Sequence, residues 1–208
     1  MNGELFTAPV AFPEPRAFQA TAHEKLRAGV RAGHRRQLLV APTGAGKTYL
    51  GLRIAHEALQ RGKRAVFICD RTALINQTSA RADEYGLTNH GIVQASHPRR
   101  DNTRPFQIAS VQTLQARDYG VPADVVVIDE AHTQYDFTKQ LLARIKEDDS
   151  KAVAVGLTAT PCTKGLGLHN DAMVNDAAMG EVGVGRVLVP LRVWGCTTPD
   201  MGGGGGGG

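Results

Sequence analysis

Ala41-Pro42-Thr43-Gly44-Ala45-Gly46-Lys47-Thr48 lies between a short apolar run, Gln37 to Ala41, and a stretch patterned as a helix. Gly44 and Gly46 permit a tight turn whose backbone N–H groups face inward, and the positive end of the following helix points at the same place. Such a nest suits a phosphate, and Pro42, Thr43 and Ala45 complete it. Lys47 can reach the β- and γ-phosphates of a nucleotide, while the Thr48 hydroxyl can ligate magnesium. The strict pattern begins with glycine where this chain has Ala41, but the first position contributes least to the nest. A second candidate stands at Asp129-Glu130, directly after Val125-Val126-Val127-Ile128. There Asp129 can meet a cation held by Thr48, and Glu130 can orient or deprotonate a water at the γ-phosphate. Together the two segments imply binding of ATP with Mg2+. A glycine-rich turn and a solvated strand end are the blander alternatives. The coincidence of strand, loop, Lys-Thr, helix and acidic pair argues against both. His132 follows Glu130 by two positions, but the spacing HExxH is absent, so no zinc site is expected.

The positioning elements follow from periodicity. Phe18 to about Ala32 lacks proline and sets Phe18, Ala22, Leu26 and Val30 near one helical face, with Gly33 as a natural stop. Strands are expected at Gln37 to Ala41 and Arg64 to Cys69, with a helix from Lys47 to Arg61 between them. Helix, strand and helix are then expected at Ala73 to Tyr85, Gly91 to Ala95 and Phe106 to Ser110. Val125 to Ile128 suits a strand buried on both faces of a parallel sheet. A helix over Phe137 to Glu147 and a strand over Ala152 to Leu157 follow, the latter stopping at Thr158-Ala159-Thr160-Pro161. Residues 162 to 183 show little periodicity. Val187 to Val193 reads as a late strand, which Pro190 confines to an edge or an exit. This βα alternation predicts a three-layer α/β domain with a mostly parallel sheet and its site at the carboxyl ends of the strands.

Composition sets the outer limits. With 42% hydrophobic and 21% charged residues the chain falls within the globular class. No stretch reaches the ~20 apolar residues of a membrane span and no signal-peptide pattern opens the chain, so a cytoplasmic address without membrane contact is the default. Net charge is +4, with arginine and lysine grouped at 31–36, 61–64 and 99–100. That balance is compatible with a nucleic-acid partner and equally with a solvated basic face. Cys69, Cys162 and Cys196 form no CxxC pair, so reduced thiols are expected. The domain is placed at 16–200, with 1–15 an irregular lead-in. Residues 201–208, Met201 followed by seven glycines, form a tail expected to be disordered or artificial.

The same segments carry a family resemblance. Ala41 to Thr48 resembles motif I of superfamily 2 helicases, Asp129-Glu130-Ala131-His132 reads as their DEAH motif II, and Thr158-Ala159-Thr160-Pro161 resembles motif III. The resemblance implies a RecA-like P-loop NTPase fold in which His132, Thr158 and Thr160 couple the nucleotide to the rest of the motor. Pro15-Arg16-Ala17-Phe18-Gln19 is similar to the entry motif of the restriction-enzyme-helicase and excision-repair-like branch. By that likeness Gln19 reads the adenine edge, with Arg16 near the nucleotide; the alternative is a polar first-turn helix residue. Arg71 to Thr78 resembles motif Ia, and Ala109 to Leu114 the motif after it. In the family these loops hold one nucleic-acid strand by its backbone, which implies contacts from Arg71, Gln112 and Thr113. Capping and packing are the plainer roles for these residues.

The implied activity is ATP-dependent helicase or translocase action on DNA, with RNA remodelling as the alternative. A catalytically weak nucleotide-binding module acting through a partner is another, and a metabolic P-loop kinase leaves Thr158 to Pro161 unexplained. The family's second RecA-like domain, whose arginines complete the ATP site, has no counterpart after Pro161. The expectation is half of a motor that needs that domain in cis or in trans.

Overall fold

The computed structural model describes residues 10–94, 96–116, 122–133, 135–147, 151–159, 170–175 and 189–190. Helix α1 (Ala17–Arg31) leads into strand β1 (Arg36–Val40), and the phosphate-loop segment connects β1 to α2 (Lys47–Gln60). Then follow β2 (Ala65–Cys69), α3 (Ala73–Glu84), β3 (His90–Val93), β4 (Phe106–Ser110), α4 (Val111–Ala116) and β5 (Val125–Ile128). The remaining elements are α5 (Tyr135–Glu147), β6 (Val153–Thr158), β7 (Ala172–Asn175) and the two-residue β8 (Val189–Pro190). The strands form one sheet in the order β3-β4-β2-β5-β6-β1-β7-β8, parallel throughout except where β8 runs antiparallel to β7.

Strand side chains alternate between faces, and here both faces are apolar, so helices cover both. Leu39, Phe67, Val127, Val155 and Leu157 meet α1, α2 and α3 through Leu26, Leu50, Leu52 and Ile75. Leu38, Val40, Val66, Ile68 and Ile128 meet α4 and α5 through Leu114, Phe137 and Leu142. The three-layer α/β architecture expected from the sequence is the one observed.

Gly51 sets how closely α2 approaches the sheet. A Cβ there would lie 2.5 Å from Phe67 and 2.9 Å from Val127. Overpacking of this kind costs about 1–3 kcal/mol, so Gly51→Val is expected to lower the unfolding free energy by that much and with it the chemical-denaturation midpoint. An unchanged midpoint would show that the helix can retreat without loss.

Several expectations are corrected or refined. Phe106 to Ser110 is a strand, not a helix: its five residues are buried and pair in parallel with β2 on one side and β3 on the other. The strand expected over Gly91 to Ala95 is His90–Val93. The short helix α4 was not anticipated. Nor was β7, inside the stretch without periodicity. Asp171 fixes β7 beside β1 by accepting the backbone N–H groups of Arg35 and Arg36 at 3.0 Å each and pairing with the Arg36 guanidinium. Of the late strand, Val189–Pro190 is described and lies at the sheet's outer edge, where a residue without an N–H is tolerated. Thr160, Pro161, Cys162, Cys196, residues 1–9 of the lead-in and the glycine tail lie outside the described residues. Cys69 is buried, and burial pushes its thiol up to about 12. Among the described residues no helix is long and apolar enough to cross a membrane.

Candidate active site

The carboxyl ends of β1, β5 and β6 converge. The Ala41 N–H donates to the Thr158 carbonyl at 2.9 Å, which ties the loop after β1 to the end of β6. Gly44 and Gly46 take φ of +83° and +80°, a conformation that L side chains resist, and α2 starts immediately after Gly46. Pro42, Thr43 and Gly44 are exposed and Ala45 is buried. A cavity of about 320 Å³ opens beside the helix start, lined by Gly44, Gly46, Lys47, Thr48, Asp129 and Glu130. The residues singled out for phosphate and cation chemistry therefore face one space.

Gln19 reaches the loop from α1. Its Oε1 accepts the Arg16 N–H at 3.0 Å, and its Nε2 donates to the Ala45 carbonyl at 3.1 Å. One lone pair and one N–H remain on the amide, enough for a further two-point contact. Its helix-capping contact and its contact with the loop coexist, so α1 helps to hold the nest in place. The Arg16 side chain has a different situation, on an exposed residue at the helix start.

Asp129 follows β5 and is held by its own N–H, which donates to the Ile68 carbonyl at 2.9 Å. Its carboxylate accepts the Glu130 N–H at 3.1 Å. Burial first, and then the neighbouring Glu130 charge, raise Asp129 to about 6. A nearby cation would relieve that cost. The Thr48 and Asp129 oxygens are the hard donors that magnesium takes, and magnesium needs few protein ligands beside phosphate and water. Among the described residues no group of three His, Cys, Asp or Glu side chains could hold a metal.

Glu130 has φ of +47°, the one non-glycine residue among those described with positive φ. Strain of this kind costs about 1–3 kcal/mol and persists where surrounding contacts fix it. Here Oε1 lies 3.2 Å from Lys47 Nζ and Oε2 lies 3.4 Å from His132 Nδ1. His132 Nδ1 in turn lies 2.8 Å from Thr158 Oγ1. A polar chain, Lys47–Glu130–His132–Thr158, thus links the ends of three strands. The sequence could not reveal that pairing, although it named all four residues.

The candidate nucleic-acid residues sit farther along the same edge. Arg71, in the turn after β2, is exposed, with Nε 3.5 Å from Asp70 Oδ2. Gln112 on α4 donates to the Asp70 carbonyl at 3.0 Å. Thr113 is engaged locally: its Oγ1 is 2.9 Å from Ser110 Oγ, which also accepts the Thr113 N–H. The capping role considered for Thr113 is therefore present in the structure. Asp70 was not singled out from the sequence; its signal was a carboxylate ending an apolar strand, as Asp129 does.

Residues 12–163 match the family described as type III restriction enzyme, res subunit. The chain is 29% identical over 158 residues to the Escherichia coli protein named type I restriction enzyme EcoAI endonuclease subunit. That match covers 71% of this chain and 19% of the relative, so the chain spans about a fifth of the relative's length. Among solved structures, the Pyrococcus furiosus Hef helicase domain superposes with a TM-score of 0.61 at 18% identity, covering 77% of this chain and 37% of that one. The UvsW helicase of bacteriophage T4 gives 0.59 at 20%, covering 74% and 57%. The Sulfolobus solfataricus SWI2/SNF2 ATPase core in complex with dsDNA gives 0.57 at 18%, covering 74% and 34%. At these identities the structural likeness establishes the fold.

Proposed function

The chain belongs to the type III restriction enzyme, res subunit family and carries a superfamily 2 helicase-type motor domain, and from that premise we propose that it is the Mg-ATP-binding half of an ATP-dependent DNA helicase or translocase. The observation that carries this reading is the Lys47–Glu130–His132–Thr158 chain beside the phosphate-loop cavity. Backbone N–H groups of residues 43 to 47 bind the phosphates, and Lys47 turns from Glu130 to the β- and γ-phosphate oxygens. Thr48 and Asp129 would hold magnesium, which would supply positive charge to offset that of the phosphates. Glu130, released by Lys47, orients the attacking water and accepts its proton at a carboxylate oxygen. His132 and Thr158 pass the change at Glu130 to the end of β6, with Thr160 beyond it. Gln19 offers its remaining lone pair and N–H to the adenine edge, with Arg16 close by.

Arg71, Gln112 and Thr113 are assigned to the nucleic-acid backbone. DNA is preferred because the relatives are restriction enzymes. By the family resemblance a second RecA-like domain is assigned the cation that faces the γ-phosphate, and its contribution is about 10³–10⁵ in turnover.

The test is steady-state phosphate release by this chain and by a protein carrying it with a second RecA-like domain, each with single-stranded DNA, duplex DNA or RNA. The two-domain protein is expected to respond to DNA, and the chain alone to bind ATP but turn over very slowly. Stimulation by RNA alone would make it an RNA-remodelling motor. Binding without stimulation by any nucleic acid would leave a nucleotide-binding module. Robust DNA-stimulated turnover by the chain alone would end the two-domain requirement.

The raised Asp129 gives a pH signature. A carboxylate holds a cation in its ionised form, so protonation competes with magnesium below the Asp129 value of about 6. Magnesium-dependent nucleotide affinity is expected to fall about tenfold per pH unit below that point. Asp129→Asn should bind weakly at every pH and lose the slope; a wild-type slope in that variant would assign the titration elsewhere.

A further inference from the structure

Asp70 follows β2 as Asp129 follows β5, and those strands are parallel neighbours with Ile68 beside Ile128. The Asp70 side chain is 9% exposed, and its Oδ1 has no hydrogen-bond partner among the described residues. An unpaired buried carboxylate oxygen costs free energy, so its retention asks for a reason. Its Oδ2 lies 3.5 Å from the Arg71 guanidinium, on a side chain that is 80% exposed. Its carbonyl accepts the Gln112 amide. Two residues assigned to DNA therefore converge on Asp70. Its charge also reaches Asp129, where it adds to the larger influences of burial and Glu130.

We infer that Asp70 is a positioning residue that couples a DNA phosphate at Arg71 to the hold of Asp129 on the magnesium–nucleotide complex. This rests on the function proposed above. Without DNA, Arg71 partly offsets the Asp70 charge. A phosphodiester that draws Arg71 outward leaves Asp70 uncompensated in a buried position. The potential beside Asp129 becomes more negative, and a divalent cation is held more tightly. Linkage makes the effect reciprocal: bound magnesium–nucleotide tightens DNA by the same factor. Arg71 is mostly solvated, so the coupling is modest, about three- to fivefold at low salt, and it fades as salt screens the pair.

The test titrates the full chain with a fluorescent non-hydrolysable ATP analogue and Mg2+, with and without saturating oligothymidylate. Wild type is expected to bind the analogue about three- to fivefold more tightly with the oligonucleotide. Arg71→Gln leaves Asp70 uncompensated from the outset, so it should show the tightened affinity before DNA is added and gain nothing further. Asp70→Asn should bind each ligand alone and show no coupling between them. Wild-type analogue affinity in Arg71→Gln overturns the inference, as does full coupling in Asp70→Asn. If Asp70→Asn does not fold, Arg71→Gln, a change at an exposed side chain, decides alone. A wild-type chain that binds both ligands without coupling overturns the inference and leaves the proposed function standing. A chain that binds neither ligand overturns both.

Discussion

In a protein that joins this chain to a second RecA-like domain, Glu130→Gln is expected to keep Mg-ATP affinity within about threefold of wild type and to lower turnover by roughly 10²–10⁴. The amide keeps the shape of the carboxylate and an oxygen acceptor for Lys47, which lies 3.2 Å from Oε1. It also stays within reach of His132 Nδ1, now 3.4 Å from Oε2. What it loses is the negative charge and the ability to take a proton from water. Binding and chemistry should therefore separate at this one residue. The positive φ of Glu130 is unchanged by the substitution, so any strain there is common to both proteins. The measurement is steady-state phosphate release beside calorimetric Mg-ATP affinity. Turnover within a factor of two of wild type would remove Glu130 as the water-orienting group and pass that role to a residue outside the cavity lining.

The parts of this arrangement that are local in sequence were legible in it. Strand, glycine turn, lysine and helix lie within about a dozen consecutive positions, and their geometry follows from backbone freedom at Gly44 and Gly46. The apolar run of Val125 to Ile128 announced a doubly buried strand, and pairing with β2 and β6 on its two sides explains why. Non-local features were not legible. Phe106 to Ser110 is a strand because β2 and β3 flank it, and nothing within its five residues specifies those partners. β7 depends on Asp171 clamping Arg35 and Arg36 across some 135 positions of chain. The His132–Thr158 contact joins two strand ends, and the convergence of Arg71 and Gln112 on Asp70 joins a turn to a helix. Residue types identified candidates; only the register of the sheet decides which of them meet.

Lys47→Ala is expected to lower Mg-ATP affinity by about a hundredfold while the fold survives. Hydrogen bonds to charged groups contribute about 1.5–3 kcal/mol each, and the ammonium is assigned to two phosphate groups, so a loss near 3 kcal/mol is a conservative figure. The fold should tolerate the change for a reason visible at the site. Lys47 is largely buried, but its partner Glu130 is 31% exposed and retains His132 as a neighbour, so no charge is stranded away from water. The packing of α2 depends on Leu50, Leu52 and Ala55 rather than on the lysine stem. Affinity and stability should therefore part company: calorimetry registers the lost phosphate contacts, while the thermal unfolding midpoint without nucleotide moves little. Lys47→Arg makes a sharper control. It keeps the charge but replaces a compact ammonium with a wide planar fork. An affinity loss close to that of Lys47→Ala would place the requirement in geometry as well as charge. Unchanged Mg-ATP affinity in a folded Lys47→Ala protein would instead remove the phosphate-loop assignment, and with it the roles given to Thr48 and Asp129.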